Sequence, residues 1–128
     1  MHILHNTPSF SDQRGQITDL IEGDTISAVT LVTFVAGAVR GNHYHKETTQ
    51  WNLLLSGRVR VVSQLPGAAA SEIEIAAGDL ARCEPNESHA FQAIDATEML
   101  VFTRGPRGGR DYESDTYRLE KPLIRTQG

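Results

Sequence analysis

The sequence is poor in cysteine and in long apolar runs, and each shortage excludes a class of protein. Its single cysteine, Cys83, excludes an intrachain disulfide, and we therefore expect a protein of the reducing cytoplasm. The longest apolar stretches, near 29–36 and 53–55, are far shorter than the roughly 20 residues of a membrane-spanning helix. The start of the chain has no basic segment followed by an apolar run, so we expect neither a secretion signal nor a membrane partner.

An excess of positive charge is also lacking. The chain has 12 lysines and arginines against 16 acidic residues, a net charge of −4, and the two signs are interspersed. Because a nucleic-acid surface needs a basic stripe to match phosphates, we expect no nucleic-acid partner. Aromatic residues make up only 6%, so a core must be built mainly from Val, Leu, Ile and Ala. A length of 128 residues suits one domain.

Short apolar or alternating runs separated by turn residues fill most of the chain. They predict strands at 17–21, 28–35, 51–55, 58–62, 72–75, 80–83, 89–93 and 98–102. No convincing amphipathic helix interrupts them, and many short strands separated by turns predict an all-β sandwich or small barrel. Residues 104–111 are rich in Gly and Arg and predict an exposed loop, followed by a tail at 112–125 that could add an edge strand.

A His-x-His pair carries the functional prediction. On a strand, His43 and His45 project from the same face, whereas Tyr44 points away. Gln50 lies where the next strand begins and offers an amide oxygen, and His89 opens a later strand that could pair opposite the first two histidines. Neutral imidazoles with an amide oxygen suit a divalent transition metal such as Zn, Fe, Mn or Ni.

Residues 37–93 resemble the cupin superfamily. The first cupin motif is Gly, five residues, His-x-His, three or four residues, Glu, six residues, Gly. This chain has the motif's spacing, with Gln in the Glu position: Gly37, His43, His45, Gln50 and Gly57. The second motif is matched at Gly78 and His89, whereas other residues replace its Pro, Gly and Asn: Glu84, Asn86 and Ala93.

The cupin resemblance implies a fold, a ligand set and an assembly. The fold is a double-stranded β-helix, a jelly-roll barrel in a single domain that spans 1–128, with its core at about 15–103 and a C-terminal tail at 104–128. The metal ligands that the resemblance implies are His43, His45, Gln50 and His89. Small barrels commonly pair their edge strands, so we expect a homodimer.

Shorter segments resemble cupins that act on sugar nucleotides. Residues 12–15 (DQRG) resemble the D-x-R-G signature of these proteins, and 40–44 (RGNHY) resemble the R-G-x-H-Y segment of dTDP-4-dehydrorhamnose 3,5-epimerases. Residues 43–50 (HYHKETTQ) resemble a segment of the dTDP-4-keto-6-deoxyglucose 3,4-ketoisomerases. The overall resemblance is to the C-terminal cupin of bifunctional capsular-polysaccharide enzymes, which epimerise a UDP-4-keto sugar. Those enzymes carry Glu in place of Gln50 and a reductase domain that this chain lacks.

These resemblances imply an isomerase or epimerase of a nucleotide-linked 4-keto-6-deoxy sugar in cell-surface polysaccharide biosynthesis. Arg14, Arg40 and Arg60 are candidate ligands of the diphosphate, through bidentate hydrogen bonds. Tyr44 is a candidate proton donor. Two other functions stay open, an oxygen-using metalloenzyme of the cupin dioxygenase type and a non-catalytic cupin that binds a sugar or another metabolite.

His43 has two predicted roles that exclude each other. In the 3,5-epimerases the matching histidine is the base that removes a proton beside the 4-keto group, and an imidazole is competent for this near neutral pH. As a metal ligand, His43 would instead help to hold an ion that polarises the ketone. A ligating nitrogen has no free lone pair for a proton, and four ligand-type residues at ligand positions favour the metal. Because Gln50 is neutral, we expect the ion to be more electrophilic and less tightly held.

Overall fold

Backbone hydrogen bonds organise the chain into short strands. The computed structural model describes residues 1–111 and 113–126, so Tyr112, Gln127 and Gly128 of the predicted tail lie outside the described residues. The strands are β1 His2–His5, β2 Phe10–Asp12, β3 Gly15–Ile17, β4 Ala28–Phe34, β5 Val39–Tyr44, β6 Thr49–Ser56, β7 Arg58–Gln64, β8 Ser71–Ala76, β9 Asp79–Cys83, β10 Ser88–Ala93, β11 Thr97–Arg104 and β12 Tyr117–Arg118. A single 3-10 turn at Gly109–Asp111 is the helical element of the described part.

Two five-stranded antiparallel sheets form the body of the molecule. Their strand orders are β1-β9-β6-β11-β4 and β12-β5-β10-β7-β8, and the hairpin β2-β3 stands apart from both. This arrangement confirms the predicted all-β jelly-roll barrel. The predicted tail contributes β12, which pairs with the edge of β5. Within residues 1–111 and 113–126, no helix has the length and apolar character needed to span a bilayer.

The main core lies between the two sheets, and side-chain alternation fills it. In β7, Val59 and Val61 point inward with 0% and 1% exposure, whereas Arg58 and Arg60 point outward. The core draws on both sheets: Phe34, Leu54, Val59, Val61, Ile75, Ala81, Cys83, Phe91, Ala93, Met99 and Val101. Burial raises the pKa of the Cys83 thiol, so this cysteine is a protonated core residue, as its apolar strand predicted.

The segment after β3 departs from the sequence prediction. A strand was expected over 17–21, but β3 ends at Ile17. Leu20 and Ile21 instead pack on the outer face of the first sheet, over Trp51 and its neighbours. On a strand, neighbouring side chains point to opposite faces, so a strand here would bury only one of these two adjacent apolar residues. Trp51, only 4% exposed, is thereby buried within the chain on the face opposite Gln50.

A β-bulge in β5 shapes the pairing of that strand with β10. His89 is opposite His43, but Ala90 is opposite Gly41, so Asn42 is the extra residue. Gly41 and Asn42 both have positive φ angles, of 95° and 57°. A β-carbon on Gly41 would lie 2.8 Å from the carbonyl oxygen of His89, so only glycine allows the two backbones to approach this closely.

We predict that Gly41→Ala destabilises the protein more than Gly37→Ala does. Both positions have positive φ, which costs a non-glycine residue about 1–2 kcal/mol. A β-carbon at Gly37 meets open space, whereas one at Gly41 also collides with the backbone of β10. Urea unfolding of the two variants measures the difference, and equal losses would show that the close approach at Gly41 is unimportant.

Candidate active site

A cavity of about 570 Å³ lies inside the barrel and is lined by both sheets. One part of its wall is apolar and includes Val32, Phe91 and Met99. The other part is polar and includes His43, Gln50, Asn52 and His89. This size and this mixture of surfaces are typical of a small-molecule site.

His43 and His89 line this cavity, and His45 lies beside them. The nitrogen atoms that His43, His45 and His89 offer all lie within 4.8 Å of one another. The ring of His43 lies 4.9 Å from that of His45 and 4.8 Å from that of His89, between centroids. The pairing of β5 with β10 brings His89 to His43, and alternation along β5 puts His45 on the same side. The predicted convergence of these side chains is therefore present.

All three imidazoles are held in the neutral form. Burial, followed by the positive charges of neighbouring groups, lowers the pKa of His43 to about 2. Burial also lowers the pKa of His89 to about 3, and it lowers the pKa of His45. A neutral imidazole keeps one lone pair, which can bind an ion or accept a proton.

Hydrogen bonds to carbonyl groups fix the tautomers of two of these rings. Nδ1 of His45 donates to the carbonyl oxygen of Asp115 at 2.9 Å, and Nδ1 of His89 donates to that of Glu87 at 3.2 Å. Since a carbonyl oxygen can only accept, Nδ1 carries the proton and Nε2 carries the lone pair in both rings. This is the usual support for a histidine that ligates a metal.

Several buried polar atoms of the cluster lack a partner among the described residues. They are Nδ1 of His43, Nε2 of His45 and the amide nitrogen Nε2 of Gln50. Buried polar atoms are rarely left unpaired, and a missing ion or ligand is a common reason. Gln50 is only 5% exposed, and its amide can turn to present either the oxygen or the nitrogen. The donor set therefore fits a divalent transition metal.

Tyr44 lies outside this cavity. Its ring stacks on that of Tyr117 with 5.3 Å between centroids, and it lines a second pocket with Lys46 and Gln64. The alternation of β5 explains this position, because Tyr44 lies between two inward-facing histidines. We therefore assign it no proton transfer.

The three predicted arginines occupy different environments. Arg14 is 79% exposed and pairs with Asp12 in the β2-β3 hairpin. Arg60 pairs with Glu72 across the β7-β8 pair, on the outer face. Arg40 does line the cavity, but it donates a hydrogen bond of 3.0 Å to a main-chain carbonyl of β4. Only Arg40 of these three is brought to the cavity.

The C-terminal segment forms a wall of the cavity that the sequence did not predict. Four of its side chains line the cavity: Arg107, Glu113, Thr116 and Arg118. The prediction of an exposed loop over 104–111 is wrong at Arg107, whose burial lowers the pKa of its guanidinium. Its Gly- and Arg-rich composition is typical of surface loops, and the contacts that turn it inward come from distant parts of the chain.

Asp115 fastens this segment beside His45. Its carboxylate accepts hydrogen bonds of 2.9 and 2.8 Å from the backbone N–H groups of Lys46 and Glu47, and one of 2.8 Å from Oγ1 of Thr48. Burial acts to raise the pKa of Asp115, but these hydrogen bonds outweigh it and lower the pKa. The same residue supplies the carbonyl that orients His45. Asp115 therefore joins the tail, the loop after β5 and the histidine cluster.

The sequence and the fold were compared with those of known proteins. The family described as polysaccharide biosynthesis C-terminal domain matches residues 10–117. No curated protein matches the sequence closely enough to be named as a relative.

Several solved structures share the fold. One is QdtA, a sugar 3,4-ketoisomerase from Thermoanaerobacterium thermosaccharolyticum in complex with TDP, with a TM-score of 0.73 and 22% identity over 93% of this chain and 88% of that one. Another is a 3,4-ketoisomerase from Helicobacter canadensis, with a TM-score of 0.72 and 19% identity over 91% and 89% of the two chains. The capsular polysaccharide assembling protein CapF from Staphylococcus aureus matches with a TM-score of 0.64 and 20% identity, over 91% of this chain and 33% of CapF. At these identities the likeness shows the fold alone, the all-β jelly-roll barrel.

We predict that Asp115→Ala lowers the free energy of unfolding by about 1–3 kcal/mol, because three hydrogen bonds to a charged acceptor are lost. Asp115→Asn should lose less, since Asn tolerates the positive φ of 60° and keeps one acceptor oxygen. Glu120→Ala, at an exposed position in the same segment, is the control and should leave stability unchanged. Chemical unfolding measures all three, and an Asp115→Ala variant as stable as the parent would contradict the fastening role.

Proposed function

The chain belongs to the family of polysaccharide biosynthesis C-terminal domains, and on that premise we propose that it is an isomerase or epimerase of a nucleotide-linked 4-keto-6-deoxy sugar. One observation carries the proposal: three neutral histidines, two buried and one half-buried, converge with Gln50 beside a cavity large enough for a sugar. Solved structures of the same fold include a 3,4-ketoisomerase bound to TDP and a variant of it bound to TDP-4-keto-6-deoxyglucose. These ligands suggest the substrate class.

The chemistry that we propose begins at the carbon beside the ketone. Removal of the proton at C3 leaves an enediolate, and its return on the other face or at the other carbon gives an epimer or an isomer. The negative charge of the enediolate must be stabilised where it develops. The cavity suits this need, because the neutral imidazoles add no negative charge and the apolar wall of Val32, Phe91 and Met99 limits the access of water.

We further propose that His43, His45, Gln50 and His89 hold a divalent transition metal. The ring nitrogens Nδ1 of His43 and Nε2 of His45, which lack a partner among the described residues, support this assignment. So do the carbonyl-bound Nδ1 atoms of His45 and His89. The chemistry that such an ion supplies is Lewis-acid polarisation of the ketone. Because Gln50 is neutral, it would not compensate the positive charge of the ion. We therefore expect an ion that is more electrophilic and bound less tightly.

The group that moves the proton follows from the role of His43. If His43 is a ligand, it has no lone pair to accept a proton, and we assign that step to Glu113, a carboxylate that lines the same cavity. If the protein works without a metal, His43 is the base. Its neutral form at physiological pH leaves a lone pair free to bind an ion, whereas its lowered pKa makes it a weak base, which favours the ligand role.

We predict that protein purified without a histidine tag contains about one transition-metal ion per chain by elemental analysis. His45→Ala should lose most of this metal and keep its fold, because it removes one ligand at a site supported by the rest of the barrel. Gln50→Glu should bind the metal about tenfold more tightly or better, since it adds a negative charge to the site. His2→Ala, at an exposed histidine outside the cluster, is the control. A His45→Ala variant with the metal content of the parent would show that the ligand assignment is wrong.

We predict that the protein exchanges the C3 proton of dTDP- or UDP-linked 4-keto-6-deoxy sugars with solvent in deuterated water, as followed by mass spectrometry and NMR. Exchange should be abolished in His89→Ala, whose ring belongs to the cluster, and kept in Arg60→Gln, whose side chain lies on the outer face. If Glu113→Gln exchanges the proton more slowly and keeps a normal metal content, Glu113 is the base. If its exchange is unchanged, His43 remains the candidate base. No exchange by the metal-loaded parent with either nucleotide would be evidence against an isomerase.

A further inference from the structure

Arg107 is a cation inside the cavity that the proposed chemistry does not use. Its side chain lines the same space as His43, Gln50 and His89. Its positive charge lowers the pKa of all three histidines of the cluster, whereas that of Arg118 acts on His43 alone. Arg107 therefore lines the same wall space as two of these histidines, and its charge reaches the third.

The loop that carries Arg107 is packed in place. Its backbone N–H donates to Oγ1 of Thr48, a fully buried residue, at 3.4 Å. A β-carbon on Gly105 would lie 2.9 Å from Cα of Thr48, and one on Gly108 would lie 2.7 Å from Cβ of Ala28. Two glycines therefore allow the loop to approach the barrel closely on both sides of Pro106 and Arg107, and of these two residues Arg107 lines the cavity.

The other charged groups of the cavity already have partners. Arg118 pairs with Glu113 at 3.2 Å, and Arg40 donates to a main-chain carbonyl and lies over the ring of Phe34. For Arg107, Nε is buried without a hydrogen-bond partner in the part of the chain that the structure describes, and Glu113 acts on the guanidinium through its charge. A half-buried guanidinium with an unpaired N–H is costly unless an anion meets it.

We propose that Arg107 binds the diphosphate of a nucleotide-linked sugar in this cavity, an inference that rests on the function proposed above. The planar guanidinium offers paired N–H donors that match phosphate oxygens. In a pyranose, the carbon that carries the diphosphate lies across the ring from the 4-keto carbon. A sugar whose ketone faces the histidines brings its diphosphate into the same cavity, and Arg107 is a cation of the lining whose Nε has no hydrogen-bond partner among the described residues. Arg14 and Arg60, by contrast, are engaged with acidic residues outside it.

Binding of dTDP and UDP to the full chain tests this assignment without the need for turnover. By isothermal titration calorimetry, Arg107→Gln should bind both nucleotides about ten- to a hundredfold more weakly, because charge-assisted hydrogen bonds are lost. The nucleotide affinity of Arg107→Lys should lie between those of Arg107→Gln and the parent, since lysine keeps the charge but not the paired N–H donors. Arg60→Gln is the matched control and should bind as the parent does. The loss should shrink as salt is added.

Thermal unfolding separates ligand binding from a structural role. If Arg107 serves a ligand, Arg107→Gln should be at least as stable as the parent, because an unpaired charge has been removed. A less stable variant with unchanged nucleotide affinity would overturn the proposal. Slower turnover with unchanged affinity would overturn it too, since Arg107 would then act at the reacting carbon.

The two proposals fail in different ways. If the parent binds dTDP or UDP and Arg107→Gln weakens this binding, but the parent exchanges no sugar proton, the diphosphate site stands and the isomerase proposal is refuted. If the parent exchanges the sugar proton and Arg107→Gln binds the nucleotides as tightly as the parent does, the isomerase proposal stands and the diphosphate site is refuted.

Discussion

The antiparallel register between β5 and β10 determines the geometry of the site. It sets His43 directly opposite His89, and the bulge at Asn42 lets the two strands stay paired on both sides of this point. Gly41 makes the bulge possible because its lack of a β-carbon allows the backbone of β10 to come close. The apolar wall, the polar wall and the C-terminal segment line the same cavity as the two histidines that this pairing brings together.

Electrostatics give the cavity a consistent character. Burial keeps its imidazoles uncharged, and the C-terminal wall adds the positive charges of Arg107 and, near His43, of Arg118. Glu113 is the acidic residue of that wall, and it is engaged with Arg118. A site of this kind suits a ligand that arrives with negative charge or develops it during the reaction. The proposed diphosphate ligand has this negative charge, and the proposed metal would add positive charge where the enediolate develops.

Local patterns were enough to predict the barrel and its histidines, but they were not enough to predict its wall. Alternation placed His43 and His45 on one face, and motif spacing linked them to His89 almost fifty residues away. Arg107 was missed because its loop has the composition of a surface segment, while the contacts that turn it inward come from Thr48 and Ala28. No local sequence pattern predicts such distant packing. Strand β1 was not predicted for the same reason, because it is defined by its pairing with the distant strand β9.

The clamp between Asn42 and the end of the described chain bears on how the protein is made. The side-chain oxygen of Asn42 accepts hydrogen bonds from the backbone N–H groups of Leu123 and Ile124, and its amide group donates to the carbonyl of Ile124. Ile124 is buried against Val62 and Ala90 of the second sheet. These hydrogen bonds can form only after residues through 124 have left the ribosome, so a nascent chain that already contains every histidine still lacks this clamp on β5.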